Sequence, residues 1–557
     1  MTKAFTGDED SVHPQWVLID LGSMQPVNAI RIAWAQPYAT SFAVQFWTGG
    51  DTNPRQATAG LWQSFPTGRI TNGRGAAATL ALTRFQVSTR YVRVFMTASS
   101  NTCDTHGSAD KRNCVGYAIG EVYIGTTAAD GSFQDILKHG KTNEQTHTIA
   151  SSMDPWHEAS DLNMAAGEQV GFDFFFKSGI TRGLPTMVPT ALLYGQPEDS
   201  ANQIAWLKKR GYPISYIELG EEPDGQRAMP EDVAALFVQW AKAIHKVDPT
   251  LKLGGPAFEG VNQDIKVWPD SDGRVSWFGR FLDYLRDHNS LSEFAFMSYE
   301  HYPYTPCRST WDDLYREPEL ITHIMDVWKD DGLPPGTPQL MTEGNMSSRA
   351  SGPFVDVSGG LWLADYVGAF LTHGGTGTYF FHTIPNALGP GCGDNMGAAM
   401  ALLNVSRDRK VRGHLSQYYG SVMINKEWVQ PVDKDHKVHP VSSDMRDSQN
   451  RIVTTAYAVE RPDGQWAVML INKDHDNPHP VRITFRDADA KVDRAYKGPL
   501  KVVNWGAAQY VWHPAGADGY ADPENPPITT SMMADADTTF TLPKASITVI
   551  LGKLGQQ

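Results

Sequence analysis

The sequence has few cysteines, no long apolar stretch and no cluster of basic residues. It contains no run of about 18 apolar residues, which argues against a membrane-spanning helix. Asp and Glu outnumber Lys and Arg by 62 to 48, so the formal net charge is −14 at pH 7. Nucleic-acid binding requires a basic face. We therefore expect neither nucleic acid nor a membrane among the partners of this protein.

Only four cysteines are present. Cys103 and Cys114 flank a polar loop, which predicts a disulfide-closed hairpin. A zinc site is the alternative, although two cysteines and one nearby histidine are few ligands for zinc. An even number of cysteines in paired places favours an exported protein, periplasmic or extracellular, with buried free thiols as the alternative. Residues 1–8 lack the apolar core of a signal peptide, so we expect that signal to be absent from this chain.

Length and composition indicate a globular protein of two or three domains. The chain has 557 residues, of which 41% are hydrophobic and 20% charged. It also contains 16 Trp and 20 Tyr, whose amphipathic rings suit sugar stacking as well as core packing.

Residues 1–127 show the pattern of a β-sandwich. Short β-branched or aromatic runs at 16–22, 28–34, 42–47 and 91–96 are each bounded by Gly, Pro, Asn or Ser. With the closing run at 119–124, they resemble a discoidin (coagulation factor 5/8 type C) domain. The resemblance implies carbohydrate binding and allows a structural calcium ion. A purely structural role is the alternative, and no other cofactor is predicted.

A polar connector at 128–144 precedes a segment, 145–405, in which strands alternate with helices. This alternation is typical of parallel α/β architecture, and we predict a (β/α)8 TIM barrel. Seven strands are recognisable, and the position of the first barrel strand stays open. The predicted strands lie at 148–156, 186–193, 214–219, 251–256, 294–303, 339–343 and 377–382.

Alternating polar and apolar residues return after the barrel and predict a C-terminal β-sandwich at 406–557. Its clearest strands are at 452–459, 466–472, 481–485 and 546–551. The predicted architecture is therefore a barrel between two β-sandwiches.

Two glutamates stand at the predicted carboxyl ends of barrel strands. The stretch 214–224 begins as a strand and ends in acidic residues that include Glu222, and Glu343 ends the strand at 339–343. In such barrels the active site lies at this rim, because residues at the carboxyl ends of the strands converge there. Hydrolysis of a glycosidic bond by a retaining enzyme needs two carboxyl groups in one pocket.

The motifs around these glutamates resemble those of clan A glycoside hydrolases, most closely families 39 and 79. Residues 218–224, Glu-Leu-Gly-Glu-Glu-Pro-Asp, are similar to the Asn-Glu-Pro motif of barrel strand 4. The resemblance implies that Glu222 is the acid/base and that Glu343, in Thr-Glu-Gly-Asn, is the nucleophile. It covers about residues 145–557.

One residue departs from that pattern. The position before the acid/base is Asn in these families, where it contacts the 2-hydroxyl of the sugar, and here it is Glu221. A carboxylate only accepts hydrogen bonds, and its charge would raise the pKa of Glu222. We hypothesise that Glu221 accepts from the 2-hydroxyl or recognises an amino sugar; it could also face away from the pocket. Unchanged kinetics in a Glu221→Gln variant would rule out both roles.

Further candidates for substrate contact lie at the other strand ends, each with a packing role as the alternative. They are Trp156, His157, His301, Tyr302, Tyr304, Asn345 and His382. No serine or cysteine occupies a strand–helix elbow, and no histidine spacing matches a metal motif, so we predict no catalytic metal. Cys307 and Cys392 follow two strands of the same rim, and a disulfide between them would stiffen it in an oxidising compartment.

The sequence therefore predicts a retaining, exo-acting glycoside hydrolase that cleaves plant or microbial oligosaccharides or polysaccharides. By resemblance, the sugars are β-xylosides, β-glucuronides, β-glucosides, β-galactosides or arabinofuranosides. The alternative is an inactive carbohydrate-binding or adhesion protein built on the same barrel.

Overall fold

The protein is described by a computed structural model in which two compact units can be recognised. The first contains the described residues before 140 together with 266–275, and the second contains the remainder. The description covers residues 15–555 except 53, 55–58, 103–115, 138, 140–171, 194–196, 227, 260–264, 350–354, 383–386, 390, 394, 409 and 488–490.

The first unit is built from two antiparallel sheets of four strands each, in the orders β1-β6-β3-β4 and β5-β2-β7-β8. Val27, Phe42 and Val92 from one sheet share a buried apolar cluster with Ile30 and Ile124 from the other. The strands are β1 Gln15–Val27, β2 Ala29–Trp34, β3 Ala39–Trp47, β4 Trp62–Ile70, β5 Ala77–Ala81, β6 Val87–Ser99, β7 Ile119–Thr127 and β8 Phe133–Asp135.

Two packed sheets agree with the sandwich that the sequence predicts. Strand β8 lies inside the predicted connector and pairs with β7, so this unit continues past residue 127. The discoidin-like identity, with its carbohydrate or calcium ligand, stays a prediction. Cys103, Cys114, Trp156 and His157 lie outside the described residues.

The second unit contains a six-stranded parallel sheet whose strands follow chain order. The strands are β9 Thr186–Thr190, β10 Ile214–Leu219, β11 Lys252–Phe258, β12 Phe296–His301, β13 Gln339–Gly344 and β14 Gly377–Thr378. The helices of this region are α1 Phe172–Lys177, α2 Pro197–Lys209, α3 Pro230–Val247, α4 Trp277–Asp287, α5 Glu317–Asp330 and α6 Val357–Thr372, with short 3-10 turns at Leu291–Glu293 and Trp311–Arg316.

Aromatic packing joins these helices to the sheet. Trp277 and Phe278 on α4 are fully buried, and both pack edge-on against Phe258 at the end of β11. Phe258 also stacks on Trp328 of α5, with ring centroids 5.3 Å apart. A sheet covered in this way requires nearly continuous apolar strands, and β12 is buried along its whole length.

Six of the seven strands recognised in the sequence are present in this sheet. The seventh, at 148–156, lies outside the described residues, so a closed eight-stranded barrel stays a prediction. The strand predicted at 377–382 is shorter than expected, because only Gly377–Thr378 pairs with β13.

The rest of the second unit is mostly antiparallel. Its largest sheet has the order β17-β18-β19-β28-β23-β26. A hairpin of β15 and β16 crosses the predicted domain boundary at 405–406. The elements are β15 Leu403–Val405, β16 Val411–His414, α7 Ser416–Val422, a π-helical turn Met423–Trp428, β17 Lys437–His439, β18 Thr454–Glu460, β19 Trp466–Asn472, β20 His479–Val481, β21 Phe485–Asp487, β22 Val492–Arg494, β23 Gly498–Gly506, β24 Tyr510–His513, a 3-10 turn Gly516–Asp518, β25 Tyr520–Glu524, β26 Ile528–Ala534, β27 Phe540–Leu542 and β28 Ser546–Gly552.

One predicted strand of this region is wrong. The stretch 481–485 is not a single strand: it runs from the last residue of β20 to the first of β21, with 482–484 between them. Strand β20 pairs with β27, and β21 pairs with β22. Across the described part of the chain, no helix combines the length and apolar character needed to cross a bilayer.

Candidate active site

The loop after β10 carries Glu222 on a backbone that is fixed by its neighbour strand. The amide of Glu222 donates to the carbonyl of Ala257 on β11 over 2.8 Å. Its φ is 44°, in the left-handed region that non-glycine residues seldom occupy. Such conformations cost about 1–3 kcal/mol and persist where the surroundings hold them, often at functional sites. The side chain of Glu222 is therefore aimed by a locally strained turn.

Glu343 lies at the end of β13, beside the end of β12. The hydroxyl of Tyr302 donates to Glu343 Oε1. Glu343 is also the register partner of Glu300 on β12, next to an irregularity in the pairing of the two strands. The two carboxyl groups are therefore held by adjacent strands.

Glu221 lies close to Glu300 and Glu343. Carboxylate oxygens of Glu221, Glu300 and Glu343 all lie within 4.8 Å of one another. We refer to these three residues as the carboxylate triad. Glu221 is exposed, Glu343 is half-buried, and Glu300 is buried. Glu221 thus faces the other acidic groups at this edge of the sheet rather than pointing away from them.

Burial and mutual repulsion change the protonation of the acidic groups. Burial raises the pKa of Glu222 to about 7, and the nearby charges of Glu259, Glu221, Glu343 and Asp224 act in the same direction. Glu222 is therefore about half protonated at neutral pH.

The pKa of Glu300 is raised further than that of Glu222. Burial, followed by the charges of Glu343, Glu222 and Glu221, raises its pKa to about 10, so it carries a proton at neutral pH.

The pKa of Glu343 responds to opposing influences. Burial raises it, the hydrogen bond from Tyr302 lowers it, and the charges of Glu221 and Glu218 raise it again. Glu218 lies within β10, where burial raises its pKa and the hydroxyls of Thr342 and Ser298 lower it. The hydroxyl of Tyr302 is therefore the group that favours the charged form of Glu343.

His301 and Tyr304 lie behind the rim and share one partner. His301 Nε2 is 2.5 Å from Glu317 Oε1, and the Tyr304 hydroxyl donates to Glu317 Oε2 over 2.8 Å. Their exposed fractions are 1% and 6%. In this arrangement both side chains contact Glu317 and hold the chain on either side of Tyr302. Sugar contacts by His301 and Tyr304 stay predictions.

Asn345 and His382 lie at the ends of neighbouring strands. Asn345 is fully buried; its side-chain amide donates to the Phe381 carbonyl over 2.8 Å, and its oxygen accepts from the amide of Met346. These backbone partners indicate that Asn345 orders the rim. The ring of Phe381 packs edge-on against both Tyr302 and His382. Sugar contacts by Tyr302 and His382 stay predictions.

A disulfide joins Cys307, in the loop after β12, to Cys392, in the segment after β14. Their Cα atoms are 5.4 Å apart, within the range that a disulfide requires. The bond ties two segments of the rim together.

The sequence analysis missed Glu300, Glu218 and Glu259. Glu300 and Glu218 lie within predicted strands, and Glu259 directly follows one. A charged residue in an otherwise apolar buried strand is the signal that identifies the first two, since carboxylates are seldom fully buried without a partner. Within the described ranges, the carboxylate triad is the one group of three or more such ligands close enough to hold a metal ion.

The structure thus defines an α/β protein with an acidic site at the carboxyl edge of a parallel sheet. The GH51 arabinofuranosidase from Xanthomonas axonopodis pv. citri has a similar structure, with a TM-score of 0.51 and 13% identity over 70% of this chain and 79% of that chain. A family 44 xyloglucanase from Paenibacillus polymyxa gives a TM-score of 0.48 and 14% identity over 70% and 86%. At 13% identity, the likeness to the arabinofuranosidase shows a shared fold alone. No family model matches the sequence, and a search of curated proteins found no match.

Proposed function

We propose that this protein is a retaining glycoside hydrolase of the clan A type, in which Glu343 is the nucleophile and Glu222 the acid/base. One observation carries the proposal: at the same sheet edge, Glu222 has a pKa near 7 and interacts with Glu343, while Glu343 receives a hydrogen bond from Tyr302. Two carboxyl groups held in different environments are what an acid and a nucleophile require.

The proposed reaction has two steps. Glu343 attacks the anomeric carbon and forms a glycosyl ester, while Glu222 donates its proton to the departing glycosidic oxygen. Water then attacks the same anomeric carbon while Glu222 accepts a proton from it, and the bond between that carbon and Glu343 breaks, so that Glu343 leaves as a carboxylate. The configuration of the sugar is retained because the anomeric carbon is attacked twice.

The surroundings of each glutamate support its role. Four other carboxylates raise the pKa of Glu222, which keeps a proton available for the leaving oxygen. The Tyr302 hydroxyl stabilises a negative charge on Glu343, which suits a nucleophile.

The substrate is proposed to be a plant or microbial oligosaccharide or polysaccharide that is cleaved from one end. β-Xylosides, β-glucuronides, β-glucosides, β-galactosides and arabinofuranosides are the sugars to test first. We also propose that the protein is exported, since the Cys307–Cys392 disulfide suits an oxidising compartment. The first unit is proposed to bind carbohydrate.

A panel of 4-nitrophenyl glycosides tests the activity. The full chain should release nitrophenol from at least one of them, and Glu343→Gln should lower kcat at least about a thousandfold. Glu319→Gln is the matched control, because Glu319 is an exposed residue of α5. An unchanged kcat in Glu343→Gln would exclude the assigned nucleophile. If no glycoside is cleaved but the chain binds oligosaccharides, the carbohydrate-binding alternative is favoured.

Azide distinguishes the two roles. With Glu343→Ala, azide should replace the missing carboxylate and give a glycosyl azide of inverted configuration. With Glu222→Ala, azide should attack the glycosyl ester and give a product of retained configuration. Products of the opposite configurations would exchange the two assignments.

A further inference from the structure

The proposed reaction uses only one member of the carboxylate triad. Glu300 and Glu343 are register partners on adjacent strands, and Glu221 brings a third carboxylate within 4.8 Å of both. Within the described part of the chain, none of the three forms an ion pair with a Lys, Arg or His. Three acidic groups therefore meet here without a cation from the described ranges.

Glu300 is the member that requires an explanation. It is 2% exposed, and among the described residues its Oε2 has no hydrogen-bond partner. An unpaired polar atom in such a position normally indicates strain, catalysis or a missing ligand. Another buried glutamate of the same unit, Glu231, is paired with Arg280 through two hydrogen bonds of 2.7 and 2.8 Å. The fold therefore pairs Glu231 with a buried arginine, whereas no described cation pairs with Glu300.

We propose that the carboxylate triad is a subsite for a protonated amine of the substrate, so that the preferred sugar carries an amino group on the carbon next to the anomeric centre. The inference rests on the proposed function, because the position of the amine is defined relative to the carbon that Glu343 attacks.

The size of the triad fits an ammonium group. The centre of a triangle of three oxygens that are 4.8 Å apart is about 2.8 Å from each of them, which is the usual length of a charged N–H···O hydrogen bond. An ammonium group also has three protons to donate, one for each carboxylate. Ca²⁺ takes about six to eight oxygen ligands, so the triad would complete its coordination only with both oxygens of every carboxylate or with added water.

The position of Glu343 defines which amine is meant. A group that attacks the anomeric carbon lies close to that carbon and to its neighbour, C2. An amine on C2 can therefore reach Glu343 and the other two carboxylates from the sugar ring. Amines on more distant carbons point away from the nucleophile. Without substrate, the proton on Glu300 reduces the repulsion among the three carboxylates. With substrate bound, the ammonium group would reduce that repulsion instead.

The test compares paired substrates: 4-nitrophenyl β-glucoside and β-galactoside with the corresponding 2-amino-2-deoxy glycosides. Measurements are made near pH 6, below the pKa of ~8 that is typical of such an amine. The full chain should cleave an amino glycoside with a kcat/KM at least about tenfold above that of its neutral counterpart. Glu300→Gln and Glu221→Gln should each lower this ratio roughly tenfold, the loss expected for one charged hydrogen bond.

Glu319→Gln should leave the ratio unchanged. Glu221 is exposed, so Glu221→Gln tests the idea even if Glu300→Gln does not fold. If neutral glycosides are cleaved equally well and the ratio is the same in both variants, the amine subsite is excluded while the glycosidase proposal stands. If no substrate is cleaved, the proposed function fails first. If EDTA abolishes cleavage and CaCl2 restores it in wild type but not in Glu300→Gln, the triad binds a metal and the amine subsite is excluded.

Discussion

Asp365 on α6 and Glu300 on β12 are both almost fully buried, but only Asp365 is surrounded by donors. Lys473 Nζ, the Tyr457 hydroxyl and the Thr455 hydroxyl donate to Asp365 over 2.9, 2.7 and 2.5 Å. Glu300 has an oxygen with no hydrogen-bond partner in the part of the chain that the structure describes, and it lies beside two further carboxylates. The donors around Asp365 make it a stabilising residue, whereas the burial of Glu300 beside other carboxylates lowers the stability of the folded protein.

This difference separates carboxylates that hold the protein together from those available to a ligand. Desolvating a charge is offset by a close counter-charge and several hydrogen bonds, and Asp365 has both. At the acidic edge of the parallel sheet, burial is combined with repulsion instead. Stability given up in this way is typical of functional sites.

Removing the cation from the satisfied pair should have the largest effect on stability. Lys473→Met leaves Asp365 buried without its counter-charge, which should lower the free energy of unfolding by about 3–5 kcal/mol. Urea unfolding followed by fluorescence measures the loss. Lys437→Met is the control, because Lys437 forms an exposed pair with Glu460, and such pairs contribute about 0–1 kcal/mol. Equal losses in the two variants would contradict the comparison.

Removing the hydroxyl that donates to the proposed nucleophile should have the next largest effect. Tyr302→Phe deletes the hydrogen bond to Glu343, which should cost about 1.5–3 kcal/mol of transition-state stabilisation, or roughly 10–150-fold in kcat/KM. That hydrogen bond also lowers the pKa of Glu343, so the acidic limb of the pH profile should move to higher pH. Tyr520→Phe, at an exposed tyrosine of β25, is the control. A lower rate with an unmoved acidic limb would indicate a purely structural role.

The sequence pattern predicted elements well where packing and local signals agree. The strands Ile214–Leu219 and Trp466–Asn472 have the predicted bounds, because apolar residues fill both runs and turn residues mark their ends. The stretch 481–485 alternates equally well, yet β20 and β21 pair with different strands. Alternation predicts a half-buried backbone but contains no information about its partner, which depends on distant residues.

The sequence predicted only those residues of the candidate site that belong to a recognisable motif. Glu222 and Glu343 were predicted because each lies at or just after the end of a strand that a short acidic motif marks. Glu300 was missed because it lies within a strand rather than after one, and the irregular pairing with β13 brings it opposite Glu343. A change in register is a tertiary feature that no local pattern contains. The orientation of Glu221 was also left open, because the direction of a loop side chain depends on tertiary contacts.

Glu300 should also make stability depend on pH. Its pKa is raised from the ordinary 4.5 to about 10, so above about pH 4.5 the unfolded chain releases a proton that the folded protein keeps. The free energy of unfolding should therefore fall as pH rises towards about 10, by up to about 1.4 kcal/mol per pH unit. Glu300→Gln should flatten this slope in urea unfolding between pH 5 and 9. Glu319→Gln should keep the slope of the wild type. An equal slope in Glu300→Gln and Glu319→Gln would mean that Glu300 is charged in the folded protein.

The smallest expected effect concerns the acid itself. Glu259 is exposed and is the nearby charge that most raises the pKa of Glu222, after burial. Glu222 has to be protonated to release the leaving group, so kcat/KM should fall as pH rises through about 7. Glu259→Gln removes one repelling charge and should move this basic limb to lower pH by less than about one unit, with Glu319→Gln as the control. A basic limb that stays in place or moves upwards would show that Glu222 is not the group whose proton limits the reaction.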